Sequence, residues 1–448
     1  MMRITGVNRT FDVEVDLVGS KSESNRVLMI GYYGGFTPRV NNLSTSDDTV
    51  LLKNILNLIE ETMYASSLHP NLDNPTIIDC QNAGTVLRFM ATALAFRDDE
   101  WILTGSDRMQ QRPVGDLVDA LRSMGANIEY VGQEGFPPLK IHGKSHVLTG
   151  RVCPPDGVCP YVVNVDITHS SQFASSVLLA LPVVQTFPET SQIVHLDGDL
   201  SSLPYIDMTI DMMQKYGINV HRDGRDILVQ PSDYQNIEYT IESDWTSASY
   251  WYEMVAFSEN GRARLRNLHL DSKQGDAIVA KWFEQFGVKS VQDDNDVIIE
   301  KSVETFPETS RNNHNRVLQF DFINNPDLYP TIAATCAGLK VEGKFTGLRN
   351  LKHKESDRVA AMVSELSKID SVQTCHGASL PIKFDSHNDH RIAMALAPLA
   401  MKIGAIEINN ADVVSKSYPN FWEEIYSPVA NAFASLRSPL AALGRNDG

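Results

Sequence analysis

Residues 112–128 of the chain read RPVGDLVDALRSMGANI. Leu117, Leu121 and Met124 recur there at helical spacing, so they line one apolar face of a helix. Gly125 supplies the left-handed conformation that commonly ends a helix, and a strand pattern begins directly after it. The stretch therefore predicts a helix, a tight turn and a strand in close succession.

The same unit recurs along the chain. Further apolar stripes at helical spacing consist of Ile206, Ile210 and Met213, of Val279, Phe283 and Phe286, and of Val359, Val363 and Leu366. Short β-branched stretches at 226–230 and 296–300 are typical of strands. The repetition predicts an α/β (α+β) fold built from helix–strand units, with these stripes in the core.

Composition and charge exclude some partners. Of the 448 residues, 42% are hydrophobic and 21% are charged, as in ordinary soluble proteins. A formal net charge of −17 argues against a general binder of nucleic acid or of an anionic membrane surface. It does not exclude a small anionic substrate, because one pocket can be basic in an acidic protein. Neither a signal peptide nor a bilayer span, which needs about 20 apolar residues, is expected.

Cysteine and histidine usage argues against disulfides and metals. The five cysteines are scattered and form no Cys-x-x-Cys pair, which favours free thiols in a reducing cytosol and predicts a cytoplasmic protein. His387 and His390 are potential ligands without a matching cluster of Cys, His or Glu. No metal site is therefore expected.

Several polar segments precede apolar helix patterns. They are GSKSESNR at 19–26, NAGT at 82–85 and SSQ at 170–172. Free backbone N–H groups at a helix start attract anions, although N-terminal capping remains the alternative for each segment taken singly. Arg112 also stands at a helix start, where the helix dipole gives it no stabilisation, which favours a role toward a ligand. A Walker loop is missing, so a nucleotide-phosphate site is unsupported.

Titratable groups are dense in the last third of the chain. Lys354 and Arg358 are four residues apart and would share one face if both were helical, and an anion between them would then offset their repulsion. DHR at 389–391 precedes another apolar helix pattern. Asp327 also precedes an apolar helix pattern, where it is either a reactive residue or an N-terminal cap. Lys416 lies in a predicted turn, where a lysine is by default solvated. Together these groups suit anionic substrates and proton transfer, without a nucleophilic triad or a redox cofactor motif.

An ordered series of strings resembles the EPSP synthase (3-phosphoshikimate 1-carboxyvinyltransferase) family. Besides the three segments above, it comprises RPVGDLVDAL at 112–121, PYID at 204–207, KESDR at 354–358, DHR at 389–391 and SKSYP at 415–419. The strings occur in family order over residues 11–427, which makes the series far more specific than any one of them.

The resemblance implies a fold and its division. It implies two similar domains, each of three βαβαββ units in an inside-out α/β barrel, with the active site in the interdomain cleft. The implied bounds are 20–242 for the N-terminal domain, on the shikimate 3-phosphate side, and 1–19 plus 243–427 for a discontinuous C-terminal domain. Residues 428–448 remain as a tail.

The resemblance also implies a reaction. The enolpyruvyl group of phosphoenolpyruvate passes to the 5-hydroxyl of shikimate 3-phosphate by addition and elimination, and phosphate is released. The matched catalytic residues are Asp327 as the base toward the 5-hydroxyl, Glu355 as the proton donor to the methylene carbon, and Lys21 as an assisting group. A pair of carboxylates in different environments can divide such roles.

The matched positions assign contacts to each substrate. For shikimate 3-phosphate they are Lys21, Ser22, Arg26, Ser170, Ser171, Gln172, Ser202, Tyr205, Asp327, Asn350 and Lys354. For phosphoenolpyruvate they are Lys21, Gly84, Arg112, Gln172, Arg358, Arg391 and Lys416. Phosphates and carboxylates need several charge-assisted hydrogen bonds, which Arg can make in pairs.

Two alternatives remain at this point. The sibling enzyme that uses UDP-N-acetylglucosamine typically carries a reactive Cys in a loop that corresponds to the region near Arg112, and this chain has none there. A catalytically inactive binding relative would be signalled by loss of Lys21, Asp327 or Glu355, and all three are present. The expected protein is a monomer without cofactor, with small molecules rather than nucleic acid or membranes as partners.

Overall fold

Strands and helices alternate along the chain, as the sequence predicts. The computed structural model describes residues 1–5, 9–68, 75–143, 161–184, 191–302, 317–372 and 381–429. The α-helices are α1 (Lys21–Gly34), α2 (Asp47–Leu68), α3 (Gly84–Ala95), α4 (Gly115–Ser123), α5 (Gln172–Ala180), α6 (Leu203–Lys215), α7 (Trp245–Phe257), α8 (Val279–Phe283), α9 (Tyr329–Leu339), α10 (Arg358–Val372), α11 (His390–Leu396), α12 (Ala400–Ile403) and α13 (Phe421–Val429).

The strands are short. They are β1 (Met2–Ile4), β2 (Thr10–Val15), β3 (Arg39–Asn41), β4 (Thr76–Asp79), β5 (Asp99–Thr104), β6 (Asn127–Tyr130), β7 (Leu139–Gly143), β8 (Tyr161–Asp166), β9 (Gln192–Asp197), β10 (Val220–Asp223), β11 (Asp226–Val229), β12 (Glu238–Thr240), β13 (Asn260–Leu265), β14 (Val288–Asp293), β15 (Asp296–Lys301), β16 (Leu318–Asp321), β17 (Gly343–Thr346), β18 (Ile382–Asp385) and β19 (Ile406–Asn409). Single-turn 3-10 helices include Met109–Gln111, Pro326–Leu328 and Arg349–His353. The predicted tail lies outside the described residues from 430 onward.

The unit predicted over residues 112–128 is confirmed. Helix α4 buries Leu117 and Leu121 completely. Gly125 follows with φ 95°, the left-handed conformation in which a side chain would be strained, and β6 then begins at Asn127.

The apolar stripe predicted for α10 is confirmed only in part, since Val359 and Leu366 pack against the buried core but Val363 does not. Val363 is 63% exposed, and the buried face carries Met362, Glu365 and Ile369 instead. The spacing of apolar residues does not predict this face, because the face includes Glu365, a charged residue that is buried together with its partners. Its carboxylate is 2.5 Å from Lys368 Nζ and 2.9 Å from His387 Nε2.

Three four-stranded sheets share one topology. Their strand orders are β4-β5-β7-β6, β8-β9-β11-β10 and β2-β13-β15-β14. In each, the first pair is parallel and the remaining pairs are antiparallel. The smaller sheets are β12-β3, β16-β17 and β1-β19-β18. The recurrence of one topology agrees with the repeated units of the sequence.

Buried apolar side chains form two separate cores. One is drawn from residues 27–241, and the other from residues 4–17 and 245–425. The chain passes between them at a bridge of Gly19 with Ser243, beside a hydrogen bond from Ser20 N to Glu242 O (2.8 Å). We call the surrounding parts the N-half (residues 20–242) and the C-half (residues 1–19 and 243–429). No helix in the described ranges is long and apolar enough to cross a membrane.

Candidate active site

A cavity of ≈ 80 Å³ lies between the two halves and takes its lining from both. Most of the residues matched to substrate contacts or catalysis line it. These are Lys21, Ser22, Gly84, Arg112, Ser170, Ser171, Gln172, Ser202, Tyr205, Asp327, Asn350, Lys354, Glu355, Arg358 and Arg391.

Helix starts bring these side chains together. Helix α1 begins at Lys21, α3 at Gly84 and α5 at Gln172, all in the N-half, and α10 and α11 of the C-half begin at Arg358 and His390. Each of these first residues lines the cavity. Helix N-termini carry partial positive charge and free N–H groups, so their convergence favours anionic ligands.

Arg26, one of the matched contacts, does not line the cavity. Its guanidinium is buried one layer behind and donates to Thr209 Oγ1 (2.7 Å), Ser22 O (2.8 Å) and Tyr205 O (3.0 Å). Since Ser22 and Tyr205 do line the cavity, Arg26 ties the backbone of α1 to that of α6 beneath them.

Lys416 also lies just outside the lining. Its Nζ is 3.6 Å from Glu355 Oε1 and 3.8 Å from Asp48 Oδ1, and it donates to the backbone carbonyl of Asn82. Asp48 Oδ2 in turn lies 3.1 Å from Lys21 Nζ. One carboxylate of the N-half is thus shared between a lysine of each half.

Asp327 sits in a cage of cations. Its Oδ1 lies 2.7 Å from Arg358 Nη1 and 3.4 Å from Lys354 Nζ, and its Oδ2 lies 2.8 Å from Arg391 Nη2. Burial opposes ionisation of this carboxyl, but Arg391, Lys354 and Arg358 outweigh it and hold the pKa of Asp327 well below its usual value. The ligand-free site therefore holds Asp327 as a carboxylate with its oxygens occupied.

Glu355 is held in the same way. Its Oε2 lies 2.8 Å from Arg358 Nη2, and its Oε1 lies 3.8 Å from Arg112 Nη1 and 3.6 Å from Lys416 Nζ. Burial again opposes ionisation, and Lys416, Arg358 and Arg112 outweigh it, so the pKa of Glu355 also lies well below its usual value. Arg358 is anchored independently by Asp389 Oδ2, which accepts from Nε at 2.8 Å.

Comparison with known proteins identifies the family of this chain. The family model described as EPSP synthase (3-phosphoshikimate 1-carboxyvinyltransferase) matches residues 8–425. The chain belongs to the EPSP synthase family. It is 35% identical to the 3-phosphoshikimate 1-carboxyvinyltransferase of Bacteroides fragilis in an alignment of 428 residues that covers 92% of this chain and 94% of that protein. It is 32% identical to the enzyme of that name from a Sulfurovum species over 447 residues, covering 94% of this chain and 97% of that protein.

The fold expected from the sequence is confirmed as well. The solved EPSP synthase of Acinetobacter baumannii superposes with a TM-score of 0.65 at 19% identity, covering 95% of this chain and 97% of that one. The chain therefore has the two-domain inside-out α/β fold of its family. The relatives above carry the shikimate name, so that hypothesis stands ahead of the UDP-N-acetylglucosamine one.

Several residues that line the cavity were not predicted from the sequence. They are Asp48, Thr85, Arg88, His169, His353 and His390. Arg88 had a usable signal, because it lies one helical turn after Gly84 and Thr85, which belong to the NAGT string at 82–85. Its Nη1 donates to Gln172 Oε1, and burial, together with the charge of Arg112, lowers the pKa of Arg88 to about 9.

His390 had a weaker signal, its place inside the DHR string. It is 1% exposed, and neither ring nitrogen has a hydrogen-bond partner among the described residues. Burial and the charges of Lys21 and Arg391 lower its pKa well below the usual value, so the ring is neutral. In the described ranges no cluster of three or more His, Cys, Asp or Glu is arranged to hold a metal.

Proposed function

We propose that this protein transfers the enolpyruvyl group of phosphoenolpyruvate to the 5-hydroxyl of shikimate 3-phosphate and releases phosphate, a step of aromatic amino acid biosynthesis. The observation that carries the proposal is the cavity itself. Two carboxylates, Asp327 and Glu355, face it from one side, and cations from both halves surround them. Anionic substrates and proton transfer are the chemistry that such a set supports.

The cations are divided between the substrates in this proposal. Phosphoenolpyruvate takes Arg112, whose Nε and Nη1 are buried without a hydrogen-bond partner among the described residues. Its other contacts are Lys21, Gly84, Gln172, Arg358, Arg391 and Lys416. Shikimate 3-phosphate takes the hydroxyl and amide groups at the starts of α5 and α6, together with Ser22, Asn350 and Lys354. Arg26 supports that subsite from behind through Ser22 and Tyr205.

The chemistry proceeds in two steps. In the addition, Asp327 removes the proton of the 5-hydroxyl, the hydroxyl oxygen bonds to C2 of phosphoenolpyruvate, and Glu355 gives a proton to C3. In the elimination, C3 loses a proton to Glu355, the carbon–oxygen bond to phosphate breaks, and the double bond reforms. The departing phosphate takes the proton held by Asp327, so both carboxyl groups return to their starting states. Lys21 assists by neutralising charge on the phosphate oxygens.

Substrate binding itself prepares both carboxyl groups. In the ligand-free site Arg358 and Arg391 occupy Asp327, and Arg358 and Lys416 lie beside Glu355. When the phosphate and carboxylate of the substrates bind these cations, the pKa values of Asp327 and Glu355 rise. Asp327 then becomes a better base, and Glu355 becomes able to carry the proton that it donates.

The two cores correspond to two domains in the same proposal. Residues 20–242 form one, and residues 1–19 plus 243–427 form the other, so the chain crosses between them twice. A monomer is proposed, because both sides of the cavity come from one chain. A cytoplasmic location is proposed on the free thiols Cys80 and Cys336, which suit a reducing compartment. Sedimentation at working concentration tests the monomer.

A phosphate-release assay tests the activity. We expect release only when phosphoenolpyruvate and shikimate 3-phosphate are both present. Release with UDP-N-acetylglucosamine in place of shikimate 3-phosphate would select the sibling reaction. A folded protein that releases phosphate with neither acceptor would contradict the proposal and favour an inactive binding relative.

A further inference from the structure

One arginine of the N-half holds the backbone of a C-half loop. Arg108 lies between β5 and the 3-10 helix Met109–Gln111, and it is not part of the cavity lining. Its Nη2 donates to Lys354 O (2.8 Å) and Lys352 O (3.3 Å), and its Nε to Glu355 O (3.1 Å) and Lys354 O (3.2 Å). A weaker bond from Nη1 to Gln111 Oε1 (3.4 Å) stays within the N-half.

The loop that Arg108 holds carries two of the cavity's charged side chains, those of Lys354 and Glu355. Upstream the loop is fixed by Asn350, whose Nδ2 donates to Ser201 Oγ at 2.8 Å. Downstream it is fixed by Arg358, which Asp389 anchors. Between these anchors, Arg108 binds the backbone carbonyls of three of the four residues from 352 to 355.

Arg108 forms no ion pair within the described part of the chain; its donors go to carbonyl oxygens. The planar fork of a guanidinium presents two nitrogens to several carbonyls in a fixed geometry, whereas an ammonium is a point charge on a flexible stem. Arg112, one helical turn further along, lies 3.8 Å from the Glu355 side chain. The same N-half segment thus approaches Glu355 at both backbone and side chain.

We infer that Arg108 is a positioning residue that sets the placement of Lys354 and Glu355 in the cavity. The inference rests on the proposed function, in which Glu355 donates the proton to C3. Losing the bonds frees the backbone that carries the donor, and a misplacement of about 1 Å can lower turnover on the order of 10²-fold. Arg358 stays in place, because it keeps its bond to Asp389.

The test compares Arg108→Gln and Arg108→Lys with Arg122→Gln. Arg122 is a matched control because its Nε and Nη2 also donate to a backbone carbonyl, that of Ile128, at 3.1 and 2.6 Å, but within the N-half. We expect kcat of Arg108→Gln to fall on the order of 10²-fold, with the phosphoenolpyruvate KM within about threefold of the unaltered enzyme. Arg108→Lys should recover part of the loss, and Arg122→Gln should match the unaltered enzyme.

Unchanged kcat in Arg108→Gln, or an equal loss in Arg122→Gln, overturns the inference. So does a joint change of both KM values and the thermal unfolding midpoint, since that pattern marks a general structural role. Trypsin gives a readout independent of turnover, because it cleaves at the carbonyls of Lys352 and Lys354 that Arg108 binds. Cleavage there should accelerate in Arg108→Gln alone, and unchanged cleavage overturns the inference. An unaltered enzyme that releases no phosphate contradicts the proposed function instead, and proteolysis still decides the role of Arg108.

Discussion

Gly84→Ala tests the phosphoenolpyruvate subsite with a single carbon atom. A Cβ on Gly84 would lie 2.8 Å from both terminal nitrogens of Arg112 and 2.9 Å from its Cζ, whereas ordinary contact begins at 3.4 Å. The guanidinium must therefore retreat by about 0.6 Å. It has little room, because the side chain is only 6% exposed.

The retreat weakens the bonds that Arg112 makes to the substrate. A hydrogen bond to a charged group contributes about 1.5–3 kcal/mol, and each 1.4 kcal/mol is about tenfold in affinity. We therefore expect the phosphoenolpyruvate KM to rise about 10- to 100-fold, with the shikimate 3-phosphate KM within about twofold of the unaltered enzyme. The fold should not suffer, because Gly84 is the first residue of α3 and Ala favours helix by up to about 1 kcal/mol.

The assay is steady-state phosphate release against phosphoenolpyruvate at saturating shikimate 3-phosphate, with thermal unfolding alongside. Gly132→Ala is the control, since its Cβ would have Pro138 Cδ as nearest neighbour at 4.0 Å. An unchanged phosphoenolpyruvate KM, or an equal rise in both KM values, would refute the reasoning. A lowered unfolding midpoint would place the effect in folding rather than in the subsite.

Three further predictions follow from the buried carboxyl groups. Glu355→Gln should lower kcat by about 10²-fold or more while calorimetry still detects shikimate 3-phosphate binding; lost binding in a folded variant would make Glu355 a binding residue. Asp48→Asn removes the carboxylate that lies 3.1 Å from Lys21 Nζ and 3.8 Å from Lys416 Nζ, so it should lower kcat about tenfold or more, whereas Asp47→Asn should leave kcat unchanged; equal kcat values for the two variants would contradict this. Burial raises the pKa of Glu253 well above the usual 4.5, so the folded state binds this proton more tightly and loses stability as pH rises above 4.5. Glu253→Gln should therefore be more stable than the unaltered chain by a margin that widens from pH 4.5 upward, and a constant margin in thermal melts would disprove it.

Most of the residues matched by motif line the cavity, because many of them lie in the first turns of helices. Lys21, Gly84 and Gln172 each open a helix whose first turn faces the cavity, and local sequence specifies such starts well. Arg26 shows the limit of this reasoning. Its string matches, but whether its guanidinium faces the ligand depends on Thr209 and the Tyr205 carbonyl, which a distant helix supplies.

Contacts between distant segments explain the other misses. Arg88 faces Gln172 only because α3 packs beside α5, and apolar spacing cannot predict that packing. The exposure of Val363 in α10 has a related cause. A buried Glu365 is stable only with Lys368 and with His387, which arrives from a later loop, so the helix turns a charged residue inward.

The cavity concentrates cations in a chain whose net charge is −17. A buried cation without a partner costs several kcal/mol, so the ligand-free site must neutralise its own cations. Asp327 does this for Arg391, and Asp389 does it for Arg358. In the proposed reaction, substrate anions compete with these carboxylates for the cations. When the cations bind the substrate instead, the pKa of Asp327 rises. Arg112 differs, since it is 3.8 Å from the Glu355 carboxylate and keeps buried donors unpaired among the described residues, so these donors can bind an anion without first leaving a carboxylate.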